Sequence, residues 1–126
     1  MGERYLIDSN VVIDFSLNRF NKKSKEFIAK IIDEESNISF VNKIELLGFS
    51  TIEPEIIEFI DKSSVLGIDD DIIIQTISIR KAHKIKLPDA IIAATAIEEG
   101  LILITNNSSD FKKIKGLKCI NPYELK

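Results

Sequence analysis

Short apolar runs alternate with longer amphipathic segments along the chain. The apolar runs lie around Leu6, Ile38, Val65 and Leu103, and each is bounded by polar residues. Continuous apolar runs of this length are typical of strands in a parallel sheet that is covered on both faces. The segments between them place Ile and Phe at helical spacing, with lysines and acids on the other face. Strands alternating with helices predict an α/β fold, with a parallel sheet at the centre of three α/β/α layers.

Two of the predicted helices carry expectations that matter for the site. A helix over 42–50 is expected to begin with Asn42 as its cap, which puts Glu45 in the first turn. A helix over 53–63 has a proline in its first turn, and Ile57 is expected on its buried face.

Composition limits the class of protein. The chain has 126 residues, about one domain, with 44% apolar and 29% charged residues. No run of 18 apolar residues predicts a membrane span, and the amino terminus shows no apolar signal-peptide core. Cys119 is the single cysteine, which excludes an intramolecular disulfide and a cysteine-based zinc site. We expect a cytoplasmic protein.

The net charge of −3 argues against a protein that holds nucleic acid through bulk positive charge. It leaves open an acidic site that meets phosphates through bound cations.

Four acids fall where a parallel sheet would bring them together. Asp8 follows the first strand, and Glu45 follows the second. Asp89 opens a helix that Gly100 ends, and the strand "LILIT" comes next, followed by Asp110. Ligands of open α/β sheets bind outside the carboxyl ends of the strands. The four carboxylates are therefore predicted to converge on that edge.

Such a cluster needs compensation. Two carboxylates about 4 Å apart repel by roughly 4 kcal/mol at an effective dielectric near 20. Protonation or a bound cation would relieve this repulsion. Oxygen-only ligands favour Mg²⁺ or Mn²⁺, which can activate water toward a phosphodiester. Metal-dependent phosphodiester hydrolysis is the hypothesis that follows.

The motifs "YLIDSNVVID", "ISFVNKIELLG", "LPDAIIAATAIEEGLILITNNSSDF" and "INP" resemble the PIN-domain ribonucleases, particularly VapC-like toxins of toxin–antitoxin pairs. The resemblance covers the whole chain in order and implies a single PIN-like α/β/α domain over 1–126. It implies RNA cleavage with Mg²⁺ or Mn²⁺, a small antitoxin partner and a homodimer.

Matching the motifs assigns roles to individual residues. The catalytic, metal-holding set would be Asp8, Glu45, Asp89 and Asp110. The polar neighbours that orient ligands or water would be Asn10, Thr105 and Asn107.

The sequence departs from the family pattern at two positions. Asn42 stands where the family often has Thr or Ser, and Asn106 stands where it often has Arg. The second change removes a cation that could contact substrate phosphate.

Simpler interpretations apply to several charged residues. Asp89 after Pro88 could be a favourable charge at a helix amino terminus, and Asp110 could cap a turn. Asp14 is expected to be a solvated or capping acid. For Lys84 and Lys86 we expect a solvated connection, with contact to RNA phosphate as the alternative.

Other function classes conflict with named positions. A phosphotransferase of the haloacid-dehalogenase kind would need an acid where Asn10 stands. A response-regulator receiver would need a lysine after the late strand, where Asn106 and Asn107 stand. A dinucleotide-binding domain would need a glycine-rich first turn, and "DSNVVID" has no glycine. A PIN-like scaffold without catalysis remains the alternative to the enzyme.

Overall fold

Strands and helices alternate through residues 2–125, the part of the chain that this computed structural model describes. Five strands occur there: β1 Tyr5–Ile7, β2 Asn37–Ser39, β3 Ser64–Leu66, β4 Ile102–Ile104 and β5 Cys119–Ile120. The helices are α1 Ser9–Ser16, α2 Lys22–Glu34, α3 Phe40–Leu47, α4 Pro54–Lys62, α5 Asp70–Ala82, α6 Leu87–Glu99 and α7 Ser108–Phe111. A 3₁₀ turn, Pro122–Glu124, follows β5.

The strands form one parallel sheet in the order β3-β2-β1-β4-β5. β1 lies at the centre, with Leu6 opposite Leu103 and Ile7 opposite Ile104 on β4. Because all strands run the same way, their carboxyl ends share one edge.

Two apolar cores cover the two faces of the sheet, because successive strand residues point to opposite sides. Leu6 and Leu103 belong to a core with α5, α6 and the fully buried Phe111. Ile7 and Ile104 belong to a second core with α1, α2 and α4. Truncating a buried phenylalanine such as Phe111 to alanine would cost about 3–5 kcal/mol. The predicted α/β/α sandwich is confirmed.

Helix α6 forms as its sequence predicts. Pro88 lies in the first turn, and Gly100 ends the helix at φ +68°, a left-handed conformation that glycine adopts without strain. Four alanines of this helix are buried, which allows close packing on the sheet.

Helix α3 begins earlier than predicted. Ser39, not Asn42, is its cap, and the Ser39 hydroxyl accepts a hydrogen bond from the Val41 N–H. Asn42 supplies the reciprocal bond of a capping box, because its Oδ1 accepts from the Ser39 N–H at 2.9 Å. Glu45 therefore lies in the second turn of α3, not the first.

Two further expectations were wrong or incomplete. Ile57 is 43% exposed, so it lies outside the buried face of α4. Helix α1 was not predicted, since its "NVVI" core is as typical of a strand as of a helix. None of the helices within 2–125 is long and apolar enough to cross a membrane.

Candidate active site

Asp8 lies at the point where β1 ends and α1 begins. Its N–H donates to the Ile104 carbonyl at 2.9 Å, which continues the pairing of β1 with β4 by one residue. Its side chain caps α1, because Oδ1 accepts from the Ser9 N–H at 2.9 Å. The residue is 6% exposed. Strand pairing and helix capping together fix the position of this carboxylate.

Three side chains complete the environment of the Asp8 carboxylate. Thr105 Oγ1 donates to Oδ2 at 2.8 Å, and Asn10 Nδ2 donates to the same oxygen at 3.3 Å. Asn42 Nδ2 donates to Oδ1 at 3.2 Å. The carboxylate is therefore held in one orientation by donors from α1, α3 and the segment after β4.

Glu45 is tied to the same network through Ser9. The Ser9 hydroxyl donates to Glu45 Oε1 at 2.8 Å and accepts from Asn42 Nδ2 at 3.0 Å. Sequence reasoning missed Ser9 and misjudged Asn42, which is fully buried. The "DSN" and "NKIE" motifs contain both residues, but their spacing alone does not show that they meet.

Asp89 and Asp110 line a neighbouring cleft together with Asn107. Asp89 is the third residue of α6, and Asp110 lies in α7. Asn107 Nδ2 donates to Asp110 Oδ2 at 2.9 Å, and the Asn107 N–H donates to Thr105 Oγ1 at 3.1 Å. Thr105 thus connects the surroundings of Asp110 to Asp8.

Electrostatic coupling links all four acids. Burial raises the pKa of Asp8, and the carboxylates of Asp89 and Glu45 raise it further. Hydrogen bonds from Thr105 and Ser9 partly offset this rise by lowering the same pKa. Burial also raises the pKa of Asp89, with further increases from Glu45 and Asp110. Lys86 opposes this increase. Ionisation of Asp8 and Asp89 is therefore less favourable than ionisation of a free aspartate, and a bound cation would favour it.

A fully protein-built metal cage is not preformed. Within residues 2–125, no three His, Cys, Asp or Glu side chains are grouped closely enough to enclose a metal ion. Mg²⁺ retains several waters and usually binds through one or two carboxylates, so a cage of three is not required. Oriented, electrostatically coupled carboxylates are the donors that Mg²⁺ and Mn²⁺ prefer. The donor set fits such an ion.

Asp14 is buried, contrary to the expectation of a solvated or capping acid. Its carboxylate accepts from Arg19 Nη1 at 3.1 Å, Asn106 Nδ2 at 3.0 Å and the Tyr123 hydroxyl at 2.6 Å. The Asn106 N–H donates to Asn10 Oδ1 at 3.2 Å. Asp14 is therefore linked through Asn106 to Asn10, which in turn donates a hydrogen bond to Asp8. Its partners are far away in sequence, so no local pattern reveals this role.

Comparison with known proteins places this geometry in a family. The family model of the PIN domain matches residues 5–117. The chain therefore belongs to the PIN-domain family. No curated protein matches the sequence significantly.

Solved structures agree with this assignment. A chain of a toxin–antitoxin complex from Klebsiella pneumoniae is 30% identical, with a TM-score of 0.76 over 96% of this chain and 99% of that one. A chain of DNA-bound VapBC from Salmonella typhimurium is 23% identical, with a TM-score of 0.77 over 96% of this chain and 99% of that one. A chain of VapBC-1 from nontypeable Haemophilus influenzae is 23% identical, with a TM-score of 0.77 over 95% of this chain and 98% of that one. The resemblance to VapC-like toxins is confirmed, and the last two structures show the shared fold.

Proposed function

We propose that this protein is a Mg²⁺- or Mn²⁺-dependent endoribonuclease and the toxin of a type II toxin–antitoxin pair. The observation that carries the proposal is the Asp8 carboxylate, held rigidly by Thr105 and Asn42 and electrostatically coupled to Asp89 and Glu45. Membership in a family of nucleases supports hydrolysis of phosphodiesters.

Asp8 and Asp89 are the residues that would hold the metal ion, with Glu45 and Asp110 completing the acidic set. When bound, the ion would supply positive charge that stabilises the negative charge developing on the phosphate. Coupled acids that resist joint ionisation support this assignment, since a divalent cation would relieve their repulsion.

The remaining residues of the site act by positioning. Ser9 and Asn42 hold Glu45 and Asp8 in one network, so that these two carboxylates keep a fixed relation. Asn10 and Thr105 restrict the second oxygen of Asp8. Asn107 orients Asp110 in the adjacent cleft. Fixed donors of this kind need little rearrangement when charge develops.

Cleavage of total RNA by the purified protein tests the nuclease. We expect discrete cuts in Mg²⁺ or Mn²⁺ that disappear with EDTA and with Asp89→Asn. Asp71→Asn is the matched control, because Asp71 is an exposed acid in the first turn of α5. Cuts that survive Asp89→Asn would contradict the role of Asp89. Loss of cleavage in both variants would show a general charge effect instead.

A silent PIN-like scaffold is the alternative outcome of the same assay. It would give metal-dependent stabilisation of the protein without cleavage of any RNA. Sequencing the new RNA ends would identify the substrate if the protein is an enzyme.

Exposed apolar side chains support the proposed protein partners. One group, at the end of α1, on α3, just after α3 and on α4, contains Leu17, Ile44, Leu47, Phe49 and Ile57. Another, on β3, α5 and the connections beside it, contains Val65, Ile68, Ile73, Ile74 and Ile77. Exposed apolar side chains that are contiguous on the surface mark protein interaction sites. An antitoxin and a second copy of the chain are the partners we propose for them.

The partner proposal is tested by molar mass and by growth. We expect a dimer in multi-angle light scattering. One of the substitutions Phe49→Glu and Ile74→Glu should give a monomer, and that variant identifies which of the two apolar groups forms the dimer interface. Expression should arrest growth, and co-expression of a neighbouring small gene should restore it. A monomeric, harmless wild-type protein would contradict the dimer and the toxin. A cytoplasmic location and a single functional domain over 1–126 belong to the same proposal.

A further inference from the structure

A cationic rim borders the acidic site. We define it as Arg80, Lys84 and Lys86, which line the same cleft as Asp89 and Asp110. We propose that this rim is a phosphate-binding subsite that holds the backbone of single-stranded RNA beside the acids. The inference rests on the proposed nuclease function and names residues that bind the substrate outside the acidic set.

The rim lies in a basic segment of the chain. Residues 80–86 read "RKAHKIK", with four lysines or arginines in a protein of net charge −3. No acid occurs between Asp71 and Asp89. The lysines of α2, by contrast, share their helix with several acids. Residues 80–86 are therefore a local basic segment beside the candidate site.

The rim cations form no direct ion pair with an acid in the described part of the chain. Ion pairs within residues 2–125 involve Arg4, Arg19 and Lys62, and none involves the rim. The cleft thus holds cations and acids side by side without direct pairing. A phosphodiester chain satisfies both sets, because its phosphates can contact the rim and also approach a metal ion held by the acids.

The backbone holds the rim in place. Helix α5 ends with its His83 N–H bonded to the Ile79 carbonyl, and residues 83–86 lead into α6. Ile85 packs against the apolar core, whereas its neighbours Lys84 and Lys86 are exposed. Both lysines therefore face solvent at the cleft while Ile85 faces the core. Arg80, in the last turn of α5, completes the set.

The structure agrees with the expected solvated connection, because Lys84 and Lys86 are both exposed. Contact with RNA phosphate is what the proposal adds. A negatively charged peptide could also bind cations, but it would gain nothing from the acids in the same cleft. RNA is the polyanion that fits both parts of the cleft, because its phosphates can contact the cationic rim and also a metal ion held by the acids.

The affinity for a fluorescent single-stranded RNA measures how much the rim contributes to RNA binding. Every protein in the assay carries Asp89→Asn, so that the RNA stays intact. The test variant adds Arg80→Gln, Lys84→Gln and Lys86→Gln. The control variant instead adds Lys22→Gln, Lys23→Gln and Lys25→Gln, which remove the same charge from the exposed start of α2. Thermal unfolding checks that both variants fold.

We expect the rim variant to bind RNA at least about tenfold more weakly at low salt, while the control binds normally. The slope of log affinity against log salt should fall by about 2, since each lost contact to a single strand removes roughly 0.7. A single Arg80→Lys change should retain most of the affinity. Equal loss in both triple variants, or no loss in either, would overturn the subsite.

Two further readouts separate this proposal from others. Polyglutamate that competes as well as unlabelled RNA at equal charge would overturn RNA as the occupant. Rim substitutions in a protein with intact Asp89 should retain the Mn²⁺-dependent rise in unfolding temperature, because they remove no proposed metal ligand. If the protein cleaves no RNA but rim substitution still weakens RNA binding, the proposed nuclease activity is wrong and the proposed subsite stands.

Discussion

Thr105 Oγ1 donates a 2.8 Å hydrogen bond to Asp8 Oδ2 across 97 residues of sequence. Strand pairing makes this contact possible, because Ile7 lies opposite Ile104 and the next residue on each strand reaches the same edge. Both residues are buried. The bond therefore links the two central strands at the point where the candidate site begins.

Thr105→Val should destabilise the protein and weaken metal binding. The substitution keeps the shape of the side chain but removes the donor, and hydrogen bonds to charged groups contribute about 1.5–3 kcal/mol. It also removes a contact that lowers the pKa of Asp8. Calorimetric Mn²⁺ binding should weaken more at mildly acidic than at mildly alkaline pH, because protons compete with the metal. Thr105→Ser is the control, and equal losses in both variants would contradict the role of the hydroxyl.

Asn42→Asp should be more harmful than its size suggests. The new carboxyl can still accept from the Ser39 N–H, but it cannot donate to Asp8 or Ser9 when ionised. A buried charge without a partner costs roughly 3–5 kcal/mol. We expect a large fall in unfolding temperature at neutral pH that shrinks on acidification. Asn42→Ser keeps a donor and should be milder, and a reversed order would refute this account.

Asp89→Asn should stabilise the metal-free protein while removing its response to metal. Burial, Glu45 and Asp110 raise the pKa of Asp89 in the folded state. Between the ordinary pKa of about 3.9 and the raised value, the folded state binds more protons than the unfolded state. The free energy of unfolding therefore falls as pH rises through this window, and the loss persists at neutral pH.

The measurement is thermal unfolding against pH, with and without Mg²⁺. Without metal, Asp89→Asn should unfold at a higher temperature at neutral pH, by about 1–3 °C for relief of roughly 0.5 kcal/mol. Below the window, the two proteins should agree. With Mg²⁺, only the wild type should gain stability. A metal-free Asp89→Asn protein that is less stable at neutral pH would contradict the proposed repulsion.

Tyr123→Phe should weaken the support of Asp14. The Tyr123 hydroxyl donates to Asp14 at 2.6 Å, and its ring packs on Phe20. Loss of the hydroxyl should lower the free energy of unfolding by about 1 kcal/mol, less than for a buried bond to a carboxylate because Tyr123 is 45% exposed. Tyr5→Phe is a matched control, because the Tyr5 hydroxyl contacts the exposed Glu3 and should contribute little. Equal effects in chemical denaturation would show that Asp14 gains nothing from Tyr123.

The sequence predicts the fold well where local pattern and global arrangement agree. Helix α6 has its proline at the start and its glycine at the end, and "LILIT" is apolar enough to be a central strand. Parallel strands then put Asp8 and Asp110 at the same edge. These inferences need periodicity and topology alone.

The sequence does not predict contacts that depend on tertiary packing. Helix α1 has eight residues and a β-branched core, so propensity cannot separate it from a strand. Asn42 and Asp14 are polar, and ordinary patterns place polar residues at the surface. Their burial follows from partners on distant segments, such as Asp8 for Asn42 and Tyr123 for Asp14.

Anomalous diffraction from crystals soaked in Mn²⁺ would locate the metal ion. We expect a manganese peak at the carboxyl edge of the sheet, in contact with Asp8 and Asp89. The same peak should disappear from Asp89→Asn crystals and persist in Asp71→Asn crystals. A wild-type crystal without manganese at this edge, or an unchanged peak in Asp89→Asn, would contradict the proposed metal site.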